Sequence, residues 1–166
     1  YTQDALDEIA AVAKENGCAT HIDGARIFNA AIATGVEVSR MCRDYDSVSI
    51  CLSKGLGAPV GSVLVGSQKF INKAHRWRKM FGGGWRQAGV LAAAGLYALD
   101  NHVERLADDH IRARKVAEAI NSMDNFSVEL DAVQSNLVYV NCKIPASDVV
   151  ASLAEHGIDM FDLPYN

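Results

Sequence analysis

The sequence has few features that would cross-link a protein, anchor it in a bilayer or give it a strong charge. Its four cysteines lie far apart, with no CxxC pair and no histidine pair at zinc-finger spacing. Wholly apolar runs such as residues 30–33 are far shorter than the ~20 residues that a membrane helix needs. These absences exclude a disulfide scaffold and a membrane span. We interpret all the cysteines as reduced thiols in the core: Cys18, Cys42, Cys51 and Cys142.

The composition that remains is that of a globular protein. Of the 166 residues, 49% are hydrophobic and 22% are charged, so a core can form without cross-links. The formal net charge is −4, and no block of five like charges occurs. A nucleic-acid-binding or membrane-surface protein is therefore not expected.

The apolar periodicity predicts a helix–strand–helix unit followed by two further strands. The predicted elements are helix 3–16, strand 18–22, helix 25–34, strand 47–51, strand 62–66 and helix 68–80. Thr2 and Gly17 are typical of the start and end of the first helix. Strands 47–51 and 62–66 contain β-branched and small residues, and we expect both to be buried.

The rest of the chain predicts a long helical region and the beginning of a smaller α+β unit. Residues 86–123 are rich in alanine and leucine, with a break expected near Asn101. One face of the later helix is apolar: Val103, Leu106, His110, Ala113, Ala117 and Ile120. Strands are then expected at 126–130 and 137–140, and a helix at 147–155. Because the predicted sheets are incomplete and the chain begins at Tyr1, we expect a piece of a larger α/β protein.

Polar clusters follow two of the predicted strands, where α/β proteins place their chemistry. Residues 21–26 read HIDGAR, and residues 53–59 read SKGLGAP. A lysine directly after a buried strand, beside glycines that admit another molecule, suits an amine that acts as a nucleophile. From position alone, Lys54 could equally pair with an acid, and Asp23 could cap the next helix.

Rival motifs are absent. A dinucleotide-binding glycine pattern would need its third glycine at Val60, and a serine–lysine pair would need serine at Cys51. No metal site is expected, because the remaining histidines have no paired ligand spacing: His75, His102, His110 and His156. His21 is expected to be buried and hydrogen bonded rather than an acid or base.

Taken together, three strings resemble the threonine aldolase family of pyridoxal-phosphate enzymes. They are HIDGARIFNA at 21–30, CLSKGLGAPVGS at 51–62 and RKMFGGGWRQAG at 78–89. The resemblance implies an α/β, aspartate-aminotransferase-like fold (fold type I), of which the chain is a fragment. Residues 1–100 would be the C-terminal part of the cofactor-binding large domain, 101–124 a connecting helix and 125–166 the start of the small domain.

The same resemblance implies roles for five side chains. Lys54 would form the Schiff base with pyridoxal 5′-phosphate, and Asp23 would lie against the pyridine nitrogen. Arg86 would reach the cofactor phosphate at a subunit boundary. Arg26 would bind the substrate carboxylate or the ring oxygen, and Lys79 would bind substrate nearby.

The implied activity is cleavage of L-threonine or L-allo-threonine to glycine and acetaldehyde. The implied setting is a cytoplasmic homo-oligomer, a dimer or tetramer, in which residues 88–99 are candidates for burial between subunits. One alternative is another fold type I lyase or aminotransferase, against which the triple glycine argues. The other is a non-enzyme, in which the chain is only a folding or assembly unit.

Overall fold

The computed structural model describes residues 1–162 and contains two compact units, which meet in sequence between Asp109 and His110. The elements of the first unit are α1 (Gln3–Glu15), β1 (His21–Asp23), α2 (Ile27–Thr34), α3 (Val38–Cys42), β2 (Ser47–Cys51), β3 (Ser62–Gly66), α4 (Gln68–Met80) and α5 (Gly89–Asn101). Helix α6 (Leu106–Asn121) crosses the boundary. The second unit continues with β4 (Phe126–Ser127), a 3-10 turn (Leu130–Ala132), β5 (Asn141–Cys142) and α7 (Ala146–Glu155).

The sheet of the first unit has the order β1–β2–β3. Strand β1 runs parallel to β2, with Asp23 opposite Ser49, and β3 runs antiparallel to β2. Alternate residues of the strands point to opposite faces, and Val48 packs with Ile27 and Met41 in an apolar cluster. The parallel pairing brings the carboxyl ends of β1 and β2 to one edge, as predicted.

Helix α1 is attached to the rest of the first unit by polar contacts. Thr2 accepts a hydrogen bond from the backbone nitrogen of Ala5, so it is the predicted cap. Arg40, on the short helix α3, donates hydrogen bonds from both of its terminal nitrogens to the carboxylate of Asp7. The Tyr45 hydroxyl donates to the carbonyl oxygen of Leu6 at 2.9 Å. These contacts connect α1 to α3 and to the segment before β2.

Burial differs from the prediction at the margins of the sheet. All five residues of β3 are exposed, because β3 is an edge strand rather than a central one. His21 is exposed rather than buried, since β1 is the outer strand on the other side of the sheet. Cys18 is an exposed thiol rather than a core residue, and the other cysteines are half-buried. An apolar sequence allows a strand to be buried, but the strands and helices packed around it determine whether burial occurs.

The second unit confirms the helices but not the predicted strand positions. In the part of α6 that belongs to this unit, Ala117 is fully buried, in agreement with the predicted apolar face. Strand β4 ends at Ser127, and its partner is Asn141–Cys142 instead of 137–140. Side chains of α6 take up backbone groups that a longer ladder would need: Asn121 accepts from the Val128 nitrogen, and Arg114 donates to the Leu130 carbonyl. The end of the predicted small domain, 163–166, lies outside the described residues.

Within residues 1–162, no helix is long and apolar enough to cross a bilayer. In the same part of the chain, no group of three His, Cys, Asp or Glu side chains is arranged to hold a metal ion.

Candidate active site

Asp23 and Lys54 lie at the same edge of the sheet. Asp23 is the last residue of β1, and Lys54 comes three residues after the end of β2. Because β1 and β2 are parallel neighbours, their carboxyl ends, which these two residues follow or occupy, lie at the same end of the sheet. Both residues are exposed. The edge therefore presents an amine and a carboxylate to a ligand that could approach from solvent.

The turn after β1 holds Asp23 in place. The backbone nitrogen of Gly24 donates to the carbonyl oxygen of Ser49 at 2.8 Å, and a Cβ at Gly24 would lie only 2.8 Å from that oxygen. One oxygen of Asp23 accepts from the backbone nitrogen of Ala25 at 3.1 Å. The residue that caps α2 is Arg26, which makes no capping bond. Asp23 thus orders the turn but does not cap the helix, which answers the alternative left open by its position.

Lys54 belongs to a closed loop, residues 52–58, which we call the lysine loop. The Gly57 nitrogen donates to the Lys54 carbonyl at 2.9 Å, and the Ala58 nitrogen donates to the Leu52 carbonyl at 3.0 Å. Leu52, Leu56 and Ala58 are buried in an apolar cluster with Ala98 and Leu106. Within residues 1–162, Lys54 itself makes no ion pair. The loop is therefore anchored on its apolar side while its amine faces outward.

Arg26 lies beside this edge. It stands three residues after Asp23, at the N-cap of α2, with an exposed side chain and a non-helical backbone (φ −130°, ψ 34°). Its planar guanidinium matches the geometry of a carboxylate. This position is compatible with binding either a substrate carboxylate or a ring oxygen.

The glycine-rich segment after α4 folds back on the helix. The Gly83 nitrogen donates to the Arg78 carbonyl at 2.8 Å, and Gly82 has a positive φ of 87°. These are the features of a Schellman motif. The Lys79 stem lies over Gly84, since a Cβ there would overlap Lys79 Cδ. A side chain at Gly84 would therefore displace the flexible Lys79 stem.

A basic cleft of about 680 Å³ results from this fold-back. It is lined by His75, Arg76, Arg78, Lys79, Met80, Gly84 and Trp85. Arg86, which is exposed, follows Trp85 directly. In the described part of the chain, no hydrogen bond or ion pair joins Lys79 or Arg86 to Asp23 or Lys54. Asp23, Arg26 and Lys54 lie at or after the carboxyl ends of β1 and β2, and we call them the edge group. Lys79 lines the basic cleft, and Arg86 follows the cleft residue Trp85 in sequence.

Sequence reasoning predicted the hydrogen bond of His21 but missed two further side chains near the lysine loop, Asn29 and His102. His21 Nδ1 is 2.9 Å from the hydroxyl oxygen of Ser47, so the predicted hydrogen bond of His21 is present. Asn29 is 4% exposed and lies beneath Gly55, and His102 Nδ1 is 2.6 Å from the carbonyl oxygen of Leu56. Asn29 is a buried polar residue in the otherwise apolar start of α2, which was a usable signal. His102 had no such signal in the sequence.

The chain is similar in sequence to proteins of a known family. A family model described as beta-eliminating lyase matches residues 1–143. The chain is 47% identical over 156 residues to low-specificity L-threonine aldolase 1 of Arabidopsis thaliana, covering 92% of this chain and 44% of that protein. It is 55% identical over 115 residues to the low specificity L-threonine aldolase of Escherichia coli K12, covering 69% of this chain and 34% of that protein.

The fold is shared with a solved structure. The threonine aldolase of Leishmania major superposes with a TM-score of 0.76 at 19% identity, covering 100% of this chain and 48% of that one. The chain thus spans less than half the length of these relatives. The predicted resemblance to threonine aldolases and the predicted fold type I architecture are confirmed. The chain belongs to the beta-eliminating lyase family.

Proposed function

We propose that the protein containing this chain cleaves L-threonine or L-allo-threonine to glycine and acetaldehyde with pyridoxal 5′-phosphate. The observation that carries the proposal is the placement of Lys54 and Asp23 at one edge of parallel strands. Identities of 47% and 55% to low-specificity L-threonine aldolases support it. The activity is proposed for the whole protein, of which the chain matches less than half in those relatives.

The residues of the edge group have the chemistry that this cofactor requires. Its aldehyde carbon needs an amine, which Lys54 would supply, and its ring nitrogen needs a carboxylate, which Asp23 would supply. When bound, pyridoxal phosphate supplies an electron sink for the breaking Cα–Cβ bond. Asp23 would keep a proton on the ring nitrogen by a charge-assisted hydrogen bond, which makes the sink stronger.

The cationic residues have proposed binding roles. Arg26 would hold the substrate carboxylate, or the ring oxygen, through its planar fork. Arg86 would reach the cofactor phosphate at a subunit boundary, and Lys79 would bind substrate. Their exposure and the positive lining of the cleft support anion binding in this region.

We also propose a cytoplasmic homo-oligomer, a dimer or tetramer. Large apolar side chains from α4 to α5 are exposed, which is typical of an interaction surface: Trp77, Met80, Phe81, Trp85 and Val90.

In the domain assignment that we propose, 1–100 belongs to the large domain, 101–124 is a connecting helix and 125–166 begins the small domain. The boundary between Asp109 and His110 falls within that connecting segment.

A second candidate is β-elimination, which the description of the matching family favours. The experiment is to incubate the full-length, cofactor-loaded protein with L-allo-threonine and analyse the products. Aldol cleavage yields glycine and acetaldehyde in equal amounts, whereas β-elimination yields a keto acid and ammonia. Acetaldehyde without keto acid supports the proposal, and keto acid without glycine would replace it with the second candidate.

A further inference from the structure

The lysine loop is held by three elements that surround it. Asn29 of α2 lies against Gly55: a Cβ on Gly55 would be 3.5 Å from the Asn29 side-chain oxygen and 2.8 Å from Leu106 Cδ2. From the end of α5, His102 Nδ1 reaches the Leu56 carbonyl at 2.6 Å. A carbonyl oxygen can only accept, so Nδ1 of His102 carries the hydrogen.

The contact with His102 bears directly on Lys54. The carbonyl of Leu56 and the nitrogen of Gly57 belong to one planar peptide group. That group accepts from His102 on one side and donates to the Lys54 carbonyl on the other, at 2.9 Å. Rotation of the peptide plane would break both bonds. His102 therefore sets the orientation of the group that holds the Lys54 backbone.

His102 is itself held in a defined position. It is the C-cap residue of α5, and its backbone nitrogen donates to the Ala98 carbonyl at 2.8 Å. Its ring meets the Tyr97 ring edge-on, with centroids 5.5 Å apart and an angle of 86° between planes. Gly57 has a φ of 71°, and a Cβ built at this position would lie 3.7 Å from His102 Nδ1. The ring is thus located by its helix, by Tyr97 and by the loop.

We propose that His102 is a positioning residue for Lys54, acting through the Leu56–Gly57 peptide group. This inference rests on the proposed function, in which Lys54 holds the cofactor. His102 touches neither substrate nor cofactor in this role. It keeps the lysine loop in one conformation, so that the amine is presented at the edge beside Asp23.

The test combines hydrogen exchange of the cofactor-free, full-length protein with the rate at which Lys54 captures pyridoxal phosphate. In His102→Ala, exchange over residues 52–58 should rise by roughly two- to tenfold, as expected for one lost hydrogen bond. Capture at Lys54, trapped by borohydride, should be slower than in the unmodified protein. Exchange in β1 and β2 should not change. His156→Ala, which removes an exposed imidazole from the end of α7, is the matched control.

Rescue separates the hydrogen bond from simple packing. Asparagine can place an amide nitrogen near the position of Nδ1, so His102→Asn should restore slow exchange and capture. His102→Leu fills the space but cannot donate, and it replaces the alanine variant if that variant does not fold. Equal loss in His102→Asn and His102→Leu would overturn the proposal.

Failure of this inference is distinguishable from failure of the proposed function. Unchanged exchange over 52–58 in His102→Ala overturns the inference, whichever lysine holds the cofactor. Faster exchange with unchanged capture at Lys54 also overturns it, because the loop then moves without affecting the amine. A label on another lysine in the unmodified protein overturns the proposed function, and with it the inference.

Discussion

At the scale of single residues, the edge group depends on side chains whose orientation is set by their own turns. Asp23 uses one oxygen to accept from the Ala25 nitrogen, so its carboxylate is oriented before any ligand arrives. Lys54 is exposed while its neighbours Leu52 and Leu56 are buried. Preorganisation of this kind lowers the cost of binding, because fewer side chains must be ordered on association.

Replacing Asp23 by asparagine tests its proposed role. The amide is nearly the same size but does not favour a protonated ring nitrogen. A lost charge-assisted hydrogen bond costs about 1.5–3 kcal/mol, which is roughly ten- to a hundredfold in rate if expressed in the transition state. We expect cofactor binding to persist and the turnover of L-allo-threonine to fall by that factor. Turnover close to that of the unmodified protein would contradict the assignment.

Arg26→Lys tests the second member of the edge group. The charge remains, but the planar fork that pairs with a carboxylate is lost. Binding of glycine and threonine should weaken, while the visible absorbance of the bound cofactor should stay nearly unchanged. Titration of that absorbance with glycine measures the effect. Unaltered affinity for both amino acids would mean that Arg26 does not bind substrate.

At the scale of elements, close packing of the turn after β1 against β2 determines where Asp23 lies. Gly24 is buried, and a Cβ there would stand 2.8 Å from the Ser49 carbonyl oxygen and 3.1 Å from Val48 Cγ1. Backbone atoms cannot move aside as a flexible side chain can. The junction of the two parallel strands therefore requires glycine at this position.

Gly24→Ala should destabilise the protein by about 1–3 kcal/mol, which is typical of overpacking a filled site. Gly89→Ala is the matched control, since no atom lies within 4 Å of a Cβ at that first residue of α5. There alanine should be neutral or slightly stabilising. Urea unfolding of the two variants gives the comparison. Equal stability of both variants would refute the close approach.

The contact between α1 and α3 predicts a dependence of stability on pH. Hydrogen bonds from Arg40, and then from Gln3, lower the pKa of Asp7 to about 2 from its usual 3.8. A lowered pKa in the folded state means that the ionised carboxylate stabilises the fold. The contribution is complete above the usual pKa and is lost as the pH falls through about 2.

The stability difference between the unmodified protein and Asp7→Asn should accordingly shrink as the pH falls from about 4 to about 2. Urea unfolding midpoints measured across that range give the result. Glu8→Gln, which removes an exposed acid from the same helix, controls for general charge effects. A difference that does not depend on pH would show that the ion pair does not couple to folding.

At the scale of the whole molecule, the sequence predicted the features that depend on short stretches of chain, such as helix caps, strand ends and helix breaks. The cap at Thr2, the strands that end at Asp23 and Cys51, and the break after Asn101 all depend on short stretches of chain. These signals also located Asp23 and Lys54, because polar residues at the carboxyl ends of parallel strands share an edge.

Features that depend on distant partners could not be read in this way. The exposure of β3 follows from its place at the edge of the sheet, and the position of β5 depends on bonds made by α6 side chains. His102 lies 46 residues from Leu56, so nothing near either residue indicates their hydrogen bond. The grouping of Lys79 with the basic cleft likewise depends on the fold-back of the glycines after α4.

The proposed function depends on Lys54 holding pyridoxal phosphate at the edge that it shares with Asp23. The most direct measurement is borohydride reduction of the full-length, cofactor-loaded protein, followed by digestion and mass mapping of the modified lysine. We expect a stoichiometric label on Lys54 and no cofactor fixed in Lys54→Ala, while Lys115→Ala should be labelled normally. A label on any other lysine, or no label in the unmodified protein, would contradict it.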